Sequence, residues 1–310
     1  MTATQLSLTV RLPGSGFVAP SLNHPLVREH NAAALAELGR ADRRPVVIQV
    51  HGYNNSEEDA SEAFAGFREN VRHRAWPSEP SRFCTFIEFH WPGDHPNKIV
   101  GAATFSARLQ SARSAGAVLA AGLRTAVAAS GRQVMLVGHS LGCGAVLSAL
   151  ETLDRDAASS EAVTARPVVT HAFLLAAAVR VDECRPPTGF FAARNRAYTT
   201  VFFSGRDWVL RYFFSAGHGL FDQGGMGVGQ RGEPHDDRAP RWDKRIDARI
   251  GHTKYWQDWR VALTIAEHFV TGGIRTIPPW HVGAHLDPPP TREIGAQHLP
   301  VRRLAQVDSR

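Results

Sequence analysis

Val46-Val47-Ile48-Gln49-Val50 and Gln133-Val134-Met135-Leu136-Val137 are nearly unbroken apolar runs, the pattern of strands covered on both faces of a sheet. Phe83 to Phe89, Val168 to Ala178 and Thr199 to Ser204 read in the same way. Leu6, Leu8, Val10 and Leu12 instead alternate with polar residues, which predicts a half-buried edge strand. Between these runs the apolar spacing turns helical. Ser56 reads as an N-cap with Glu57, Glu58 and Asp59 in an acidic first turn, and Ala60, Ala63, Phe64, Phe67 and Val71 follow. Leu119, Leu123 and Val127 mark one stripe of a long Ala-rich helix stopped at Gly131. Ala145, Val146, Ala149, Leu150 and Leu153 form the inward face of another, and a last helix is expected over Tyr255 to Val270. Strands alternating with helices predict an α/β fold, with a mainly parallel central sheet and helices on both faces.

At 310 residues and 43% hydrophobic, the chain can bury a large core. It shows no repeat and no linker, so residues 1–275 read as one domain. Two stretches between core elements, Arg185 to Ala197 and Arg211 to Asp243, read as cap-like insertions or packed surface excursions. The second holds Tyr212, Phe213, Phe214 and Phe221 and a glycine-dominated loop from Gly217 to Gly232. Residues 276–310, with Pro278-Pro279 and Pro288-Pro289-Pro290, read as a Pro-rich C-terminal tail.

A net charge of +6 raises nucleic acid as a partner. All but three of the 35 basic residues are arginine, however, and they are dispersed. The densest stretch, Arg241 to Arg249, is interleaved with Asp and accompanied by no nucleic-acid motif, so a solvated surface is expected. No apolar stretch approaches the roughly 20 residues of a membrane span, and the N-terminus lacks the basic and apolar regions of a signal peptide. Cys84, Cys143 and Cys184 cannot all pair and show no metal spacing; buried thiols in the cytoplasm are expected.

The chemistry centres on Gly138-His139-Ser140-Leu141-Gly142, directly after a predicted strand and followed by the small residues Cys143, Gly144 and Ala145. A serine in such a G-x-S-x-G pentad sits on a strained strand-to-helix turn that lifts its hydroxyl into a cleft. A hydroxyl is a weak nucleophile at neutral pH and needs a base oriented by a third group, here in the chain order Ser, acid, His. Asp207 stands just past the strand ending at Ser204, on the sheet edge that carries Ser140. Asp182, after the preceding strand, is the second candidate acid. His252 lies on a loop before the last helix; His218, His235 and His268 are its rivals, the last within a helix. An oxyanion needs two donors. One is the backbone N–H of Leu141, after the nucleophile. The other is expected from Tyr53, in the loop His51-Gly52-Tyr53-Asn54-Asn55, where Gly52 lets the backbone turn and Asn54 reads as a loop-fixing hydrogen bonder.

Taken together, that loop, Trp91-Pro92-Gly93, the pentad, Ser204-Gly205-Arg206-Asp207 and Gly251-His252-Thr253-Lys254-Tyr255 resemble the α/β-hydrolase superfamily. More narrowly they resemble its bacterial branch of unknown function, the DUF900-like hydrolases. The resemblance spans roughly Val46 to Val270, with Thr253 where Ser is commoner. It implies Ser140 as nucleophile, Asp207 as orienting acid, His252 as base, and Tyr53 and Leu141 as amide donors. It supplies no substrate.

The resulting expectation is a serine hydrolase acting on a small acyl compound, a carboxylic ester or thioester, without metal or organic cofactor. Two alternatives keep the fold: a non-catalytic binding protein, and an acyltransferase in which an alcohol replaces water. Nucleic acid and stable membrane insertion are not expected, and the oligomeric state is open.

Overall fold

The computed structural model describes residues 5–14, 17–42, 44–75, 84–94, 101–159, 169–184, 190, 197–214, 227–231 and 242–270. In chain order the elements are β1 (Ser7–Thr9), α1 (Arg28–Gly39), β2 (Val46–Val50), α2 (Glu57–Asn70), β3 (Thr85–His90) and α3 (Gly101–Ser130). β4 (Val134–His139), α4 (Gly142–Ser159), β5 (Val169–Leu175), β6 (Tyr198–Phe203), a short α5 (Val228–Arg231), β7 (Trp242–Asp247) and α6 (Trp259–Val270) complete the set. The strands form one sheet in the order β1-β3-β2-β4-β5-β6-β7, and every neighbouring pair is parallel. Helices α1 and α4 both pack on α3, and α2 packs with α6.

This winding places the site. β2 and β4 are hydrogen-bonded neighbours, with Val50 opposite Gly138. After β2 the chain crosses to β3 on one side, and after β4 it crosses to β5 on the other. The connections therefore diverge above these two strands, and ligands of open parallel sheets bind in the crevice left at such a switch point. Strands β2, β4 and β5 are buried along their whole length, so their carboxyl ends form a fixed rim.

Local signals set several ends as expected. Ser56 Oγ accepts the Asp59 N–H at 3.1 Å while the Asp59 carboxylate accepts the Ser56 N–H at 3.2 Å, a reciprocal capping box that starts α2. Gly131, at φ +63°, ends α3. Asp258 accepts the N–H groups of Arg260 and Val261. That cap begins α6 at Trp259, later than the Tyr255 of the apolar pattern, and leaves His252–Lys254 as a separate 3-10 turn.

Three elements were not foreseen: α1, β7 and the short α5, whose residues Val228–Arg231 lie inside the stretch read as a glycine-dominated loop. The buried face of α1 is Asn31, Ala34, Glu37 and Leu38, half of it polar, so no apolar stripe announces the helix. Asn31 instead bridges the Thr9 backbone and the Leu22 carbonyl. β7 carries Asp243, Lys244, Arg245 and Asp247 and pairs only with β6, in keeping with the charged residues tolerated on an edge. The stretch read as an insertion over 211–243 thus ends inside the sheet, at Trp242 and Asp243. Residues 185–189, 191–196, 215–226 and 232–241 lie outside the described residues, as does the Pro-rich stretch 276–310. All three cysteines are buried thiols outside any disulfide, and burial raises the Cys84 and Cys143 thiols well above their usual range.

Candidate active site

β4 delivers Ser140 to the rim in a left-handed conformation, φ +53°. For a residue with a side chain this costs about 1–3 kcal/mol, sustained by surrounding structure. Here the Ser140 N–H donates to the Leu175 carbonyl at 2.9 Å. The flanking glycines are required by close approach. A β-carbon on Gly142 would stand 2.3 Å from the His51 carbonyl oxygen, and one on Gly138 would meet Val146 Cγ2 at 2.8 Å.

Three side chains far apart in the chain meet above the rim. His252 Nε2 lies 2.9 Å from Ser140 Oγ, and His252 Nδ1 lies 2.7 Å from Asp207 Oδ2. The other Asp207 oxygen, Oδ1, accepts the Leu210 N–H at 3.0 Å, so the fully buried carboxylate is fixed from two directions. A carboxylate accepts from Nδ1–H, which leaves the Nε2 lone pair facing the serine hydroxyl.

The two rival groups within the described residues lie elsewhere. Asp182 has a side chain 53% exposed and is paired with Arg180. His268 donates to the Thr264 carbonyl at 2.8 Å and packs beside His171 and Phe173. His218 and His235 lie outside the described residues.

The loop after β2 is interlocked with the turn after β3. His51 Nδ1–H donates to the Gly52 carbonyl at 2.8 Å, while His51 Nε2 accepts the Trp91 N–H at 3.2 Å. The Trp91 indole N–H donates to the His51 carbonyl at 2.8 Å, and the two rings stack with centroids 5.5 Å apart. Burial, reinforced by neighbouring His90, pushes the His51 imidazole down to about 3, so the ring stays neutral with one donor and one acceptor. A trans peptide points its N–H opposite to its C=O. With the Gly52 carbonyl held by His51, the Tyr53 N–H is turned away from that ring. Gly52 itself abuts the elbow: a β-carbon there would be 2.9 Å from both Ser140 Cβ and His139 Nδ1. The Asn54 N–H donates to the Gly93 carbonyl at 2.8 Å and so ties the loop to the turn after β3, while Asn54 Oδ1 has no partner among the described residues. The Leu141 N–H donates to no other group among the described residues.

Sequence reasoning assigned no part to three buried side chains around this row: the His51 imidazole, the Trp91 indole and the His139 imidazole. Their only signal was adjacency to the singled-out motifs. Among the described residues no cluster of His, Cys, Asp and Glu could hold a metal ion, and no helix is long and apolar enough to cross a membrane.

An elbow serine at the switch point of a parallel sheet, hydrogen-bonded to a histidine and through it to an aspartate, defines the α/β-hydrolase class. Residues 28–216, more than half of the chain, match the family described as "Alpha/beta hydrolase of unknown function (DUF900)", and the chain belongs to that family. Among solved structures the chain is similar to TT1662 from Thermus thermophilus, at 16% identity over 73% of this chain and 89% of that one, with a TM-score of 0.38. It is likewise similar to LpqC, a poly(3-hydroxybutyrate) depolymerase from Bordetella parapertussis, at 18% identity over 75% and 82% of the two chains, with a TM-score of 0.35. No curated protein matches the sequence.

Proposed function

We propose that this protein is a serine hydrolase that cleaves a carboxylic ester or thioester of a small acyl compound through an acyl-enzyme on Ser140. The observation that carries the reading is the unbroken row Ser140 Oγ, His252 Nε2, His252 Nδ1, Asp207 Oδ2, with steps of 2.9 and 2.7 Å. Ser140 Oγ attacks the acyl carbon as its proton passes to His252 Nε2. The negative charge that develops on the carbonyl oxygen is received by the N–H groups of Tyr53 and Leu141. Each such donor is worth roughly 10²–10³ in kcat. His252 then returns the proton to the leaving alcohol or thiol. Water, deprotonated by the same nitrogen, releases the acid and restores the serine. Asp207 stabilises the imidazolium and keeps Nδ1 as the protonated nitrogen throughout. The buried cysteines, none of them in a disulfide, support the cytoplasm as the compartment.

A fluorophosphonate probe tests the reading. Wild type is expected to be labelled at Ser140 alone, and Ser140→Ala to be unlabelled and lower in kcat on an activated aryl ester by about 10⁴–10⁶-fold. Labelling that survives the substitution overturns the proposal. A panel of aryl esters and acyl thioesters graded in acyl length then identifies the substrate class.

A further inference from the structure

The residue next to the nucleophile holds the residue that bears the base. His139 is 5% exposed, and its Nε2 lies 2.7 Å from the backbone carbonyl oxygen of His252. A carbonyl can only accept, so Nε2 carries the hydrogen and Nδ1 keeps the lone pair. Nδ1 has no partner among the described residues and lies beside Gly52. The rings of His139 and His252 are 5.0 Å apart, and Tyr255 and Trp256 flank the His139 ring at 6.1 and 6.2 Å. The 3-10 turn that carries His252 has no side-chain cap at its start. His139, by contrast, is built into the sheet, paired with Leu175 at the end of β4. The His139 hydrogen bond thus ties the backbone of the turn to the rigid rim, beside the bond that the His252 ring makes to Ser140.

We propose that His139 is a positioning residue for His252, its Nε2–H fixing the backbone from which the imidazole reaches Ser140. The inference rests on the serine-hydrolase reading above. His139 contributes no proton and touches no substrate. It fixes the height of the base over the nucleophile. Among the described residues, the other hydrogen bonds of His252 are made through its ring, by Asp207 on one nitrogen and Ser140 on the other. Those two contacts set the ring nitrogens, and the tethered carbonyl sets the backbone from which the ring extends. Displacements of about 1 Å in such a row cost on the order of 10²-fold in rate.

The test compares His139→Leu, which fills the space without a donor, with His139→Gln, whose side-chain amide can place an N–H near the position of Nε2. Each is measured for kcat and KM on an aryl ester, for the rate of fluorophosphonate labelling at Ser140, and for Tm. The Leu variant is expected to lose about 10–100-fold in kcat and in labelling rate, with KM changed by less than about threefold. The Gln variant is expected to recover most of that loss at a similar Tm. Should the Leu variant fail to fold, His139→Phe takes its place. Equal activity in the Leu and Gln variants overturns the inference, as does a loss carried by KM with kcat intact. A labelled wild type with an equally fast His139→Leu overturns this inference alone, whereas a wild type unlabelled at Ser140 removes the hydrolase reading and this inference with it.

Discussion

Gly52 and Ser140 approach so closely that a β-carbon on the glycine would lie 2.9 Å from Ser140 Cβ. The loop after β2 and the elbow after β4 are therefore packed backbone to side chain, with no room for a methyl group. Gly52→Ala must push the loop off the elbow, taking the Tyr53 N–H away from the place where oxyanion charge would develop. Its kcat on an aryl ester is expected to fall by at least about 10²-fold. Gly205→Ala, where a β-carbon would meet nothing within 4 Å, is the matched control and is expected to match wild type.

Asp207 and Asp182 separate cleanly by substitution. Asp207→Asn can still offer an oxygen, but an amide cannot hold Nδ1 protonated as a carboxylate does, and kcat is expected to fall by about 10⁴-fold. Asp182→Asn removes an ion pair with Arg180 on a largely exposed side chain, and kcat is expected to stay within about twofold, since such pairs are worth little. Steady-state kinetics on one ester decides between them.

Trp91→Phe keeps an aromatic ring against His51 but deletes the indole N–H that serves the His51 carbonyl. An unpaired buried acceptor costs about 1–3 kcal/mol, so the urea midpoint is expected to drop. A smaller fall in kcat than that of Gly52→Ala is expected, because the His51–Gly52 bond survives.

Acid should destabilise the fold in a defined order. Burial, followed by the nearby charges of His90 and His252 respectively, holds the His51 and His139 imidazoles at about 3 against an ordinary 6.5. The unfolded chain therefore binds more protons between those limits, and stability falls as pH drops below about 6.5. Glu88 adds a second window. Burial opposes its charge, but hydrogen bonds from His90 and Ser61 and the Arg68 guanidinium outweigh it and bring the carboxyl down to about 2. Its contribution is present above about 4.5 and lost as pH falls toward 2. Urea midpoints are expected to decline from pH 7 to 5 and more steeply below 4.5. His171, which burial brings down to about 4, shares this first window, and His139→Gln should flatten it by removing one of the three groups.

The sheet was legible in the chain because β2, β4 and β5 are buried throughout and β6 through its middle, and all four read as mainly apolar runs. β7 and α1 escaped for the opposite reason: Lys244 and Arg245 mark an edge strand, and Asn31 and Glu37 replace the apolar stripe of a helix. In the candidate site, strand ends and chain order pointed to Ser140, Asp207 and His252, which the fold brings within hydrogen-bonding distance. What no periodicity could supply was the part of His51 and His139. The function of a neutral buried imidazole lies in which carbonyl its single N–H faces, and for His139 that carbonyl is 113 residues away.

The thiol one turn beyond the elbow has a practical corollary. Cys143 is sealed in the core, its sulfur directed at the Gly138 and Leu175 carbonyls and its ionisation suppressed by burial. Alkylating reagents need a thiolate they can reach, so maleimide or iodoacetamide treatment of the folded protein should pass this neighbourhood by. Thiol-directed inhibitors have no foothold here, and a covalent adduct recovered on the Gly138–Gly144 peptide can be assigned to the hydroxyl without first removing the sulfur.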